Sequence, residues 1–236
     1  MIDHIDCLAF GAHPDDIELC CGGLLIKLKK QDYTTAVIDL TYAELSSNGD
    51  VETRKNETNS ASQILQLDQR VNLGFKDGYI INTPETRLAI IKQIRLLQPR
   101  ICLIPYWQDR HPDHMNASHL LFEAIFYAGL SRIGTEQDAF RPKSILYYMQ
   151  HQVFDPTFII DISDEFEDKL YAIKAYQSQF GFPGSRQTAT YINRDEFIES
   201  MITRAKFYGN QIDCTYGEPY FYKGHLKIKD IMTIFS

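Results

Sequence analysis

Two stretches decide the reading: Cys7-Leu8-Ala9-Phe10-Gly11-Ala12-His13-Pro14-Asp15-Asp16, and Ile101-Cys102-Leu103-Ile104-Pro105 followed by Arg110-His111-Pro112-Asp113-His114. In each, a short apolar run of the kind that forms a buried strand leads into a His-Pro-Asp cluster. Between them, apolar and helical patterns alternate. A helical stretch over Leu24 to Lys30 ends in lysines that suit a helix C-terminus. Thr34 to Leu40 and Arg70 to Leu73 read as strands, Arg54 to Leu65 as a helix. Thr83-Pro84 caps a helix in which Leu88, Ile91, Ile94 and Leu97 recur at helical spacing. Ala117 to Ala128 follows the second cluster as another helix.

This βαβαβαβα order predicts parallel strands joined by right-handed crossovers. The fold class expected is α/β, a Rossmann-like doubly wound, mostly parallel sheet with helices on both faces. In the 3-2-1-4 strand order the first and fourth strands are neighbours, and the loops at their carboxyl ends meet where such sheets bind ligands. The two clusters occupy those two loops. Beyond them, Lys143 to Met149 and Phe158 to Ile162 read as strands. Asp164 to Tyr176 and Arg194 to Gly209 read as helices, and Ser178 to Tyr191 as a long loop able to cover the site. No linker, repeat or low-complexity segment divides residues 1–236, so a single domain is expected.

Composition narrows the partners. Lys and Arg total 24 against 31 Asp and Glu, a formal charge of −7. That argues against nucleic acid, which needs a basic face. No apolar run is long enough to span a membrane, and Asp3, His4 and Asp6 do not resemble a signal peptide. A cytoplasmic protein is expected. The five cysteines include no CxxC spacing and read as buried reduced thiols.

The clusters point to one metal. His13 and Asp16 are three apart, as are His111 and His114. Two imidazoles and one carboxylate, from His13, Asp16 and His114, leave a coordination position open, which suits catalytic zinc; non-haem Fe2+ uses a similar set. Asp15 then points elsewhere, either as general base for a water on the metal or as a cap on the following helix. A protonated His111 across the cavity would stabilise an oxyanion or protonate a leaving amine. Asp113 either holds His111 charged or orients a ligand histidine. Arg54, near a helix start where positive charge is unfavourable, asks for an anionic partner: a substrate carboxylate, or Glu52 or Glu57. Arg110 and Arg141 are further cationic candidates, and Glu44 and Asn48 are candidates for substrate hydroxyls.

These residues resemble the PIG-L-like zinc-dependent N-deacetylases of amino sugars: AHPDD after the first strand and HPDH after the fourth. The resemblance implies a metal triad of His13, Asp16 and His114, Asp15 as catalytic base and His111 as second active-site histidine. Further stretches resemble the bacillithiol-biosynthesis branch: Asp39 to Gly49 with Arg54-Lys55, Pro105-Tyr106 with Asp109-Arg110, and Ala175-Tyr176 with Ser178-Gln179-Phe180. That branch implies removal of the N-acetyl group from N-acetylglucosaminyl malate, with Asp15 activating water at the metal, in a homo-oligomer, often a hexamer. Cys20 stands where many relatives carry glycine. The segment Gly181 to Thr190 does not match, so no role passes to Tyr191. Two other readings stay open: a deacetylase or amidase of another N-acetylated sugar or thiol conjugate, and a non-catalytic metal-binding Rossmann-like module. Against the second, the first βα turn lacks GxGxxG.

Overall fold

The computed structural model describes residues 4–180 and 188–233. Seven strands form one sheet in the order β3-β2-β1-β4-β5-β7-β6. They are β1 (Cys7–Gly11), β2 (Thr35–Thr41), β3 (Gln69–Phe75), β4 (Ile101–Pro105), β5 (Ser144–Tyr148), β6 (Phe158–Asp161) and β7 (Gly217–Tyr222). β1 to β5 are parallel; β7 runs antiparallel between β5 and β6. The helices are α1 (Asp16–Lys30), α2 (Val51–Ile64), α3 (Pro84–Leu97), α4 (Pro112–Ala128), α5 (Phe166–Lys174), a single turn α6 (Gln177–Phe180) and α7 (Asp195–Asn210). The expected α/β architecture holds, with β1 beside β4.

Every residue of β1 is buried, as a central strand covered on both faces must be. Its side chains alternate between two cores. Leu8 and Phe10 join Ile38, Ile91, Ile94, Leu121 and Ile125 under α3 and α4. Cys7 and Ala9 join Leu25, Val37, Leu65, Ile173 and Tyr176 under α1, α2 and α5. The cap predicted for α3 is present: the Thr83 hydroxyl accepts from the Thr86 N–H, Thr86 answers on the Thr83 N–H, and Pro84 opens the helix.

Two helices start earlier than the apolar periodicity suggests. α1 begins at Asp16, and its first turns bury Asp16 and Glu18 among apolar neighbours. α4 begins at Pro112, with His111 as its cap: His111 Nδ1 accepts from the Asp113 N–H at 3.2 Å. In both, buried polar residues break the apolar pattern: Asp16 and His114 face the site, and Glu18 pairs with Arg70. β7 has no counterpart in the sequence reading, and it carries Pro219, a residue rarely tolerated inside a sheet. The carbonyls of Tyr216 and Tyr220 accept from the β6 side, from Ile162 and Thr157. Pro219 therefore faces the β5 side, beyond the last β5 partner, Tyr220, where it displaces no ladder bond. α6 occupies the start of the expected loop Ser178 to Tyr191, and residues 181–187 of that loop lie outside the described residues.

Candidate metal centre

The loops that leave β1 and β4 converge. Gly11 ends β1, and a Cβ there would stand 3.0 Å from the His13 carbonyl, so the turn folds back closely on the strand. Asp15 then takes φ 118°, a conformation that costs an L-residue about 1–3 kcal/mol and that redirects its side chain away from Asp16. As the residue before α1 it makes no side-chain cap, which removes the capping alternative.

His13, Asp16 and His114 each bring one donor atom into a group that spans no more than 4.8 Å. Asp16 Oδ1 lies 3.3 Å from His114 Nε2, and Asp16 Oδ2 lies 3.7 Å from His13 Nδ1. The opposite nitrogens are held by carboxylates. His13 Nε2 is 3.1 Å from Asp77 Oδ1 and 3.5 Å from Asp113 Oδ2. His114 Nδ1 is 2.9 Å from Asp109 Oδ1. Asp109 is itself saturated, accepting from the backbone N–H groups of His111, His151 and Gln152. The donor set fits a divalent cation: each imidazole has one nitrogen held by a carboxylate and the other turned to a shared point.

The electrostatics agree. Burial alone would raise the Asp16 carboxyl, but the two imidazoles hold it well below the usual range. Burial would lower His13 and His114; the surrounding carboxylates reverse this, raising His13 and bringing His114 to about 9. The carboxylates thus favour positive charge at this point.

Asp15 is on the wall of the same cavity, about 300 Å³, with His13, Asp16, His111 and His114. Burial raises its carboxyl to about 7, against the pull of Arg54. His111 departs from the protonated form expected. Burial and the neighbouring His114 and His13 lower its pKa, and its Nδ1 is an acceptor, which leaves Nε2 as the N–H in the neutral ring. The Asp113 carboxylate stands beside His13 and accepts from the Gly78 N–H at 2.7 Å, so of its two expected tasks the geometry carries the orientation of a histidine.

The substrate candidates fare unevenly. Arg54 is buried at the cavity wall, but its anionic partner is Asp15, at 3.0 Å. It also donates to the Pro14 carbonyl and to Ser46 Oγ at 2.9 Å, while Glu57 is spent on Ser178. Asn48 exchanges two hydrogen bonds with the Thr188 backbone, and Glu44 accepts from the Asp77 N–H. Both pin loops, and neither lines the cavity. Arg110 is exposed and stacks over the Tyr191 ring at 4.0 Å. Arg141 is a correction. It donates to the Phe126 carbonyl at 3.0 Å and covers that ring, near the far end of α4, roughly 20 Å along the helix from the site.

Asp77, Asp109, Gln150 and His151 at this centre were missed. Each lies just past the carboxyl end of a parallel strand, β3, β4 or β5, so the rule that placed the two clusters extends to them.

Comparison with known proteins agrees with this geometry. Residues 8–125 match the family described as PIG-L: GlcNAc-PI de-N-acetylase. Diacetylchitobiose deacetylase from Thermococcus kodakarensis is 30% identical over 188 residues, 73% of this chain and 69% of that protein. The uncharacterized deacetylase YaiS of Escherichia coli is 39% identical over 181 residues, 72% of this chain and 90% of that protein. The crystal structure of the conserved protein TT1542 from Thermus thermophilus superposes with a TM-score of 0.87 at 35% identity, covering 95% of this chain and 98% of that one. A fold, a paired His-Pro-Asp centre and a family match covering half the sequence converge: the chain belongs to the PIG-L family of deacetylases and is a hydrolase.

Proposed function

We propose that the chain is a zinc-dependent hydrolase that removes the N-acetyl group from N-acetylglucosaminyl malate in bacillithiol biosynthesis. The observation that carries the hydrolytic reading is the carboxylate of Asp15. It is strained, buried, free of any capping task and placed on the cavity wall beside the triad. A non-catalytic metal module would have no use for it.

His13, Asp16 and His114 would hold the cation, which when bound would supply a Lewis acid and lower the pKa of water to about 7. Asp15 takes the proton of the attacking water; burial lifts its carboxyl to about 7 against the pull of Arg54, 3.0 Å away, which suits a general base. His111, neutral and with Nε2–H available, donates a hydrogen bond to the oxygen that gains charge at the acyl carbon. The proton that Asp15 has taken passes to the departing nitrogen. Asp77, Asp109 and Asp113 orient the two imidazoles.

Malate as aglycone is supported by the resemblance of Asp39 to Gly49 and of Arg54-Lys55, with Arg110, exposed and stacked over Tyr191, as a further cation. The likeness to diacetylchitobiose deacetylase favours a second reading, an N-acetylated chitooligosaccharide. The test is product analysis on protein of known metal content, with N-acetylglucosaminyl malate, N,N′-diacetylchitobiose and N-acetylglucosamine in parallel. Acetate release that is fastest with the malate glycoside supports the first reading. Equal rates with and without malate overturn it. This reading carries a homo-oligomeric, hexamer-forming cytosolic enzyme with it; no helix among the described residues is long and apolar enough to cross a membrane.

A further inference from the structure

Toward the far end of α4 the chain leaves two apolar surfaces uncovered. The first is a groove of about 240 Å³ between α4, β5 and β7. Phe122 and Phe126 stand one turn apart on α4, 44% and 50% exposed, and form its walls with Ile125, Ile145 and Tyr222. Arg141, Lys143 and Lys223 rim it. Arg141 lies over the Phe126 ring at 4.7 Å and Lys223 over the Phe122 ring at 5.5 Å, so these two cations rest on aromatic faces rather than on carboxylates.

The second surface is the segment that follows β7. Every residue from Lys223 to Met232 is exposed. Between described residues, no backbone hydrogen bond ties this tail to the sheet. Yet it carries Leu226, Ile228, Ile231 and Met232, 46% to 67% exposed. Isolated apolar side chains on a surface are ordinary, but an apolar groove and an apolar tail with nothing to pack on mark a contact.

The two surfaces match. In an extended segment Leu226, Ile228 and Asp230 share one face, while Lys227 and Lys229 share the other. The first face brings two aliphatic side chains and a carboxylate to a groove with aromatic walls and a cationic rim. The tail starts at that rim, since Tyr222 and Lys223 belong to it. It could enter the groove of its own chain only by reversing at once, and it runs out into solvent instead. A two-fold axis covers both surfaces together, because each copy then offers one groove and one tail. The nine tail residues 224–232 and the eleven that line the groove give about the twenty residues a side of a standard interface.

We propose that residues 224–232 of one copy dock in the groove of a second copy, and the reverse. Leu226 and Ile228 lie on the aromatic walls and Asp230 meets the cationic rim. This gives the homo-oligomer a named surface. It stands apart from the choice of substrate, so its failure leaves the deacetylase reading untouched.

Sedimentation equilibrium on the full chain tests it. The wild type should be a dimer or an even multiple of one at micromolar concentration. Leu226→Asp with Ile228→Asp in the tail, and separately Phe122→Glu with Phe126→Glu in the groove, should each raise the dissociation constant at least tenfold, since one buried Leu or Ile is worth about that. Both pairs change exposed side chains, so circular dichroism and the melting temperature should stay those of the wild-type fold. An equimolar mixture of the two variants is the decisive arm. One chain keeps its groove and the other its tail, so the mixture should form a larger species than either variant alone. A monomeric wild type overturns the proposal. So does association unchanged in both variants, or a mixture no larger than its components.

Discussion

Asp15 and His114 sit within one turn and one loop of each other, yet substitution should separate their effects. Asp15→Asn keeps the size of the side chain and the contact with Arg54 but cannot take a proton. Bound zinc should be unchanged while turnover falls by about 10²–10⁴-fold, the range for loss of a general base; metal analysis beside steady-state kinetics checks it, and near-normal turnover would refute the role. His114→Ala removes a donor from the triad, and zinc content should fall to background. Asp109→Asn tests a residue to which the sequence reading assigns no role. It leaves all three donors in place but weakens the hold on His114 Nδ1, so zinc affinity should drop about 10–100-fold, read by competition with a chromogenic chelator.

Between elements, the informative residue is Arg70 on β3. Its guanidinium makes a two-pronged pair with Asp39 of β2, with contacts of 2.8 and 3.0 Å, and reaches Glu18 of α1 at 2.5 Å. Tyr176 adds a hydroxyl to the same Glu18 at 3.2 Å. One cation thus ties an edge strand, its neighbour and the helix that carries Asp16. Arg70→Met leaves two buried carboxylates without a counter-charge, and unfolding in urea should show a loss of about 3–5 kcal/mol. The sequence alone does not show this device, because Arg70, Asp39 and Glu18 are far apart along the chain and meet only in the folded sheet.

For the molecule as a whole, the centre joins loops from the ends of β1, β3, β4 and β5, so a cation bound there couples to global stability. Zinc at a hundred times its Kd should add about 2.7 kcal/mol. For a chain of this size that is about 5–10 °C in Tm, lost on adding a chelator, and a scanning calorimeter reads it. The thiols give an independent check of the packing. Burial raises Cys7 to about 12 and pushes Cys20, Cys21 and Cys102 upward as well. Native protein treated with iodoacetamide at pH 8 should therefore label at Cys214 at most, and all five cysteines should label only after denaturation.

Local pattern was enough for the sheet order around β1 and for the paired clusters. A strand buried on both faces is written as an unbroken apolar run, and His-Pro-Asp at the ends of two such runs has few other uses. The fold had to supply what depends on distant contacts. Pro219 is tolerated in β7 only because β5 has already ended beside it. Arg54 meets Asp15 rather than a sequence neighbour because the loop after β2 folds over the first cluster. Asn48 and Arg141 were read as ligand groups from their chemistry alone, but one is spent on the Thr188 backbone and the other lies near the far end of α4. A side chain's type is written in the chain, whereas its partner is set by which segments the sheet brings within about 3 Å, the reach of a hydrogen bond.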